Sequence, residues 1–61
     1  MKPTKALEGH RIETHPATDR WMMGDRYGTI EKAGRKLYHI RSDVTGKIFR
    51  IHPDNVRVLG I

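Results

Sequence analysis

The chain has 61 residues and no cysteine, and its 12 lysines and arginines against seven acidic residues give a formal net charge of +5 at pH 7. This length limits the protein to one domain with a small core, and the lack of cysteine excludes disulfides and zinc–thiolate sites. Without an apolar run of about 20 residues or a hydrophobic signal region, we expect a cytoplasmic protein that does not enter a membrane. The charge favours a polyanionic partner, and so small a core makes self-association into a homo-oligomer a natural additional source of stability.

Residues 1–9 show no hydrophobic periodicity and are predicted to form a flexible basic arm, as chain termini often do. The next segment, residues 10–15, is typical of a short strand between a glycine and a proline, with Ile12 facing inward and Arg11 and Glu13 facing outward. We therefore expect the folded domain to cover residues 10–61.

The longest irregular connection, residues 16–24, contains Trp21, Met22 and Met23. Large apolar side chains in a solvent-facing loop need a partner. Two interpretations stay open. Trp21 folds back over an open end of the domain and completes its core, or the three residues form an interface with another subunit, protein or base.

A second strand is predicted from Gly24 to Lys32, because a Gly-Asp turn leads there into an alternating pattern. Gly28 lies in its middle, and glycine inside a strand usually marks a bulge or a sharp bend. Residues 33–36 then supply a turn.

Residues 36–52 give the strongest structural signal of the chain. Two β-branched and aromatic runs with period-two alternation are joined by a turn that ends in glycine, which is typical of a hairpin. The alternation predicts a core face made of Tyr38, Ile40, Phe49 and Ile51. It predicts an outer, basic face made of His39, Arg41, Ile48, Arg50 and His52.

Residues 53–55 are typical of a single 3-10 turn, and a last strand is predicted over residues 56–59. The chain therefore has five short strands, a long loop after the first strand and one 3-10 turn before the last. This order is that of an all-β, five-stranded SH3-like barrel.

A Gly-Asp turn at residues 24–25 leads into a strand with Gly-Thr-Ile at residues 28–30. This motif resembles the core of the KOW and Tudor-like members of the SH3-like class. The resemblance implies a small barrel that holds nucleic acid or a protein tail through the loops that flank it. Short basic proteins of this kind also look similar to products of phages and mobile elements.

Two other motifs are Met-Gly-Asp-Arg at residues 23–26 and Phe-Arg-Ile-His-Pro at residues 49–53. They resemble a turn and the active-site strand of the plasmid-borne type II dihydrofolate reductases, trimethoprim-insensitive homotetramers of SH3-like barrels around one pore. The resemblance implies an NADPH-dependent enzyme with Arg50, Ile51 and His52 as catalytic residues. Arg50, however, stands where the family has glutamine and His52 where it has tyrosine. Four copies of Arg50 around one pore would also repel one another.

The four histidines do not predict a metal site. His39 and His52 share the outer face of the hairpin, but the sequence places no third ligand beside them. Nucleophile motifs are also missing, since the chain has no cysteine and its serine, Ser42, lies in a turn. We therefore expect neither a metal nor, outside the reductase alternative, a cofactor.

Basic residues are concentrated in the hairpin half of the chain. From Arg35 to Arg57 there are six lysines and arginines against two aspartates, a net charge of +4. Such a set is either a solvated face or a surface that contacts phosphates, for which the forked guanidinium of arginine is well suited. The residues predicted to contact phosphate are Arg35, Lys36, Arg41, Lys47 and Arg50.

These patterns favour a small basic binding module for nucleic acid or for a nucleic-acid-handling protein. The first alternative is a type II dihydrofolate reductase-like homotetramer that uses NADPH. The second is a protein-binding adaptor of phage origin whose interface is Trp21, Met22 and Met23.

Overall fold

The computed structural model of the protein describes residues 3–60, which contain one antiparallel sheet of five strands. The strands are β1 (Arg11–Thr14), β2 (Tyr27–Ala33), β3 (Tyr38–Ser42), β4 (Ile48–Ile51) and β5 (Val56–Val58). Their order across the sheet is β4-β3-β2-β1-β5, so β4 and β5 are its edges. The predicted all-β fold is confirmed, and closure of this sheet into an SH3-like barrel stays a prediction.

Short helical turns lie between the strands. They are the 3-10 turn η1 (Lys5–Leu7), the single α-helical turn α1 (Asp19–Met22) and the 3-10 turn η2 (Pro53–Asn55). The position of η2 directly before β5 confirms the prediction, and α1 occupies part of the connection predicted to be irregular. Within residues 3–60, no helix has the length and apolar character that a membrane crossing requires.

The core contains the inward members of the predicted alternation. Its buried hydrophobic residues are Ile12, Ile30, Ala33, Tyr38, Ile40, Phe49 and Ile51, and the partly buried Leu7, Val56 and Val58 pack against them. Strands β3 and β4 pair Tyr38 with Ile51 and Ile40 with Phe49, which confirms the predicted core face of the hairpin. A slip of one residue would turn all four of these side chains to the opposite face.

Strand β2 contains a β-bulge at Glu31, because Ile30 pairs with Ile40 while Lys32 pairs with His39. The extra residue changes which side chains face inward: Glu31 and Lys32 are both exposed, and Ala33 is buried. The strand therefore continues through Ala33, where the sequence predicts the beginning of a turn.

Gly28 lies in a regular part of β2, paired with Ile12 on β1 and with Ser42 on β3. A Cβ atom at this position would lie 2.5 Å from the carbonyl oxygen of Arg41 and 2.6 Å from Cγ2 of Ile40. Gly28 thus permits a close approach of β2 and β3. Of the two features predicted at this glycine, a bulge or a sharp bend, the bulge lies at Glu31 instead.

The described part of the predicted arm contacts the sheet. The backbone amide of Thr4 donates to the hydroxyl of Tyr38 at 3.1 Å, and the amide of Ala33 donates to the carboxylate of Glu8 at 2.8 Å. Leu7 packs against the core. The first two residues of the arm lie outside the described part of the chain.

The connection between β1 and β2 is fixed by Asp25, whose side chain is buried. Ser42 Oγ donates to Asp25 Oδ1 at 2.7 Å, and Arg20 Nη1 lies 3.4 Å from Oδ2. Thr14 Oγ1 donates to the backbone carbonyl of Asp25 at 3.0 Å. These bonds hold the connection to both β1 and β3.

Candidate nucleic-acid interface

A shallow pocket of about 260 Å³ lies where the turn before β3 meets β4. We call it the cationic pocket, and its lining residues are Arg35, Lys36, Leu37, His39 and Arg50. Three of the five residues predicted to contact phosphate therefore share one concave surface.

Two local features bring these side chains together. His39 on β3 pairs with Arg50 on β4, so that their side chains are cross-strand neighbours on the outer face. The turn between β2 and β3 is closed by a hydrogen bond from the Gly34 amide to the Leu37 carbonyl at 3.0 Å. A Cβ atom at Gly34 would lie 3.0 Å from His39 Nε2, so the turn that carries Arg35 packs closely against the imidazole.

The charges of the cationic pocket are not compensated by neighbouring acids. Within residues 3–60, no carboxylate forms an ion pair with Arg35, Lys36 or Arg50, and none lines the pocket. All three side chains are exposed. Like charges in one place repel one another, and a bound anion would relieve that repulsion.

The other two predicted phosphate contacts, Arg41 and Lys47, lie outside this pocket. Arg41 forms an ion pair with Glu31 and donates from Nη1 to the carbonyl of Gly46 at 3.1 Å. Its charge is therefore partly compensated, because Glu31 is exposed on the neighbouring strand β2. Lys47 is exposed next to β4 at the far end of the hairpin, and no described carboxylate pairs with it.

Arg20, and not Trp21, covers the core at Phe49. Its guanidinium lies 4.7 Å from the centre of the Phe49 ring. Trp21 is half-buried and stacks with Arg26, whose guanidinium lies 4.6 Å from the indole. Among the described residues that pack against the core, Trp21 does not occur. The interpretation that Trp21 completes the core is therefore wrong: its ring stacks with Arg26 and does not pack against the described core.

The neighbouring Met22 and Met23 are open to solvent, with 79% and 68% of their surface exposed. Their role as an interface together with Trp21 stays a prediction. Tyr27, a second aromatic residue near this loop, is also exposed, and its hydroxyl donates to Glu13 at 3.3 Å.

The three residues that the reductase resemblance assigns to catalysis, Arg50, Ile51 and His52, do not all face the same side of the sheet. Ile51 faces the core with 6% of its surface exposed, whereas Arg50 and His52 face solvent. His52 Nδ1 accepts a hydrogen bond from the Asp54 amide at 3.1 Å and thereby caps η2. Within one chain, the three side chains do not form a common surface.

The histidines are separated in the fold. His39 pairs with Arg50 and not with His52. His10 Nδ1 lies 3.1 Å from the Leu7 carbonyl, and His15 Nδ1 accepts from the Ala17 amide at 3.0 Å. Among residues 3–60, no group of three or more histidines and acids is placed to hold a metal ion.

In comparisons with known proteins, no family model matches this chain, and neither a curated protein nor a solved structure matches it. The two family resemblances therefore stay predictions from short motifs. What the chain does has to be inferred from the chemistry of its own residues.

Proposed function

We propose that this protein is a small nucleic-acid-binding module that contacts the phosphate backbone through the outer face of the β3–β4 hairpin. The observation that carries the proposal is the cationic pocket, where Arg35, Lys36 and Arg50 converge without an acidic neighbour in the lining. Lysine and arginine side chains neutralise phosphates in such complexes, and the release of counterions favours binding.

Arg41 and Lys47 extend this surface along the hairpin. Lys47 contributes a free charge, whereas Arg41 has to share its guanidinium with Glu31. We therefore expect Lys47 to matter more for binding than Arg41. The surface has few exposed aromatic rings, so stacking on bases contributes little and backbone charge dominates.

The test is a titration of the protein against duplex DNA and against RNA at several salt concentrations. Among the predicted phosphate contacts, Arg35, Lys36, Lys47 and Arg50 have no described acidic partner, and each neutralised phosphate contributes about −0.9 to the slope of log K against log salt. The expected slope on a duplex is therefore about −3 to −4. A protein that shows no affinity for either polymer at about 50 mM salt would overturn the proposal.

Single substitutions show how much each residue contributes to the slope of log K against log salt. Arg50→Ala should weaken binding to every sequence and reduce the slope by about one, because a phosphate contact positions the protein without reading bases. Arg57→Ala is the matched control, since it removes the same charge from β5, where Arg57 lies 3.6 Å from Glu13. Equal effects of the two substitutions would show that net charge alone causes binding.

The same preparations distinguish the reductase alternative. Turnover of dihydrofolate with NADPH, lost in a His52→Ala variant, would replace the binding proposal with the enzymatic one. We expect no turnover, because Ile51 is packed in the core of its own chain.

A further inference from the structure

The free positive charge of the hairpin is concentrated at one end. Arg35, Lys36 and Arg50 line the cationic pocket, whereas at the far end of the hairpin Lys47 is the one predicted contact without a described acidic partner. Between them, Arg41 is paired with Glu31. A surface that only follows a backbone would distribute its free cations along the path of the strand, because phosphates are evenly spaced. The unequal distribution indicates a ligand whose charge is greatest at one point.

A terminal phosphate is such a point. A phosphate within a strand is a diester with a single negative charge, whereas a phosphate monoester carries about −1.5 to −2 at pH 7 and offers three acceptor oxygens. Arg35 and Arg50 can each bind two of those oxygens through a forked guanidinium, and Lys36 adds a compact charge. The apolar wall of the pocket is Leu37, which a sugar can contact without losing a hydrogen bond.

We infer that the cationic pocket binds the terminal phosphate monoester of a nucleic-acid strand, an inference that rests on the proposed function. Lys47 then contacts the backbone that continues from that end. Binding involves no chemical step: the phosphate replaces water around three cations whose mutual repulsion it relieves.

The experiment compares short blunt DNA duplexes of one sequence that end in 5′-phosphates, in 3′-phosphates or in hydroxyls only. Affinities are measured by fluorescence anisotropy at about 50 mM salt, where phosphate contacts are strong. We expect one phosphorylated duplex to bind about five- to tenfold more tightly than the hydroxyl duplex, as two or three exposed charge pairs would give. The phosphorylated duplex that binds more tightly shows whether the 5′ end or the 3′ end is bound.

Two substitutions locate the preference. The quantity compared is the affinity for the preferred phosphorylated duplex divided by the affinity for the hydroxyl duplex. Arg50→Ala should reduce this ratio to about one, because it removes a guanidinium that lines the pocket. Lys47→Ala should weaken binding to both duplexes and leave the ratio unchanged. Both side chains are exposed, so both variants are expected to fold.

The outcomes separate this inference from the proposed function. Equal, salt-dependent affinities for all three duplexes would overturn the terminal phosphate and leave backbone binding in place. A complete lack of affinity would overturn both. Adenosine 5′-monophosphate serves as a competitor. If it binds as tightly as the phosphorylated duplex, the ligand of the pocket is a free nucleotide, and the inference that the pocket binds the end of a strand is wrong.

Discussion

Asp25 joins parts of the chain that are far apart in sequence. Its carboxylate accepts from Ser42, 17 residues away, and lies beside Arg20, which in turn covers Phe49. The Gly-Asp turn itself is readable from the sequence, because both residues favour turns. The partners of Asp25 are not readable, since they depend on the pairing of β2 with β3 and on the path of a long loop.

Asp25→Ala should destabilise the fold by about 1 to 3 kcal/mol, because it leaves the buried hydroxyl of Ser42 without an acceptor. Asp25→Asn is the matched control, since its amide oxygen can still accept from Ser42. Urea unfolding followed by Trp21 fluorescence measures both variants. If Asp25→Ala were as stable as the wild type, the bond to Ser42 would not be what fixes the loop.

At the scale of elements, the hairpin could be predicted and the bulge could not. Inward and outward side chains alternate without interruption in β3 and β4, where Tyr38, Ile40, Phe49 and Ile51 face inward. Once these residues are assigned to the core, the face of every other residue in the two strands is fixed. Along β2, the polar pair at residues 31–32 carries no such signal. After the bulge, the residue that faces the core is Ala33. Its side chain is too small for the sequence to indicate that it is buried.

Gly28→Ala should destabilise the protein by about 1 to 3 kcal/mol, since the added methyl group has to push β2 away from the backbone of β3. Ala33→Gly, on the same strand beyond the bulge, removes a methyl group without a steric conflict. It should cost about 1 kcal/mol or less through strand flexibility and lost packing. Thermal unfolding compares the two variants. A neutral Gly28→Ala substitution would mean that the strands are not held as closely as their pairing indicates.

For the whole molecule, the sequence predicts how much positive charge the protein carries and that this charge is concentrated in the hairpin half of the chain. It does not predict which cations pair with acidic side chains. Alternation places Arg41 and Arg50 on one outer face, as the hairpin register confirms. Arg41 pairs with Glu31, whereas no described carboxylate pairs with Arg50; this difference depends on how β2 lies beside β3, so it is visible only in the fold. The contribution of Leu37 to the cationic pocket depends in the same way on the turn before β3.

Removing a cation from the pocket should not reduce stability. Arg50→Ala is expected to raise the free energy of unfolding by up to about 0.5 kcal/mol at low salt, because repulsion from Arg35 and Lys36 is relieved. Arg57→Ala should have the opposite sign, since it breaks the contact with Glu13. Both differences should shrink at about 0.5 M salt, where surface charges are screened.

Urea unfolding at low and high salt gives these values. A loss of stability in Arg50→Ala at low salt would show that Arg50 has a structural partner, and the description of the pocket as uncompensated would be wrong.

The position of Arg50 on an edge strand has a consequence for solubility. Among the strands of residues 3–60, β4 has no neighbour on its outer side, and Ile48 is exposed on it. An uncovered strand of this kind is a template on which other chains can add and grow into aggregates. Lys47 directly precedes Ile48 and Arg50 follows it two residues later, so like charges would oppose the addition of the same strand of another molecule. The cations proposed to attract phosphate are then also gatekeepers that keep the molecules apart.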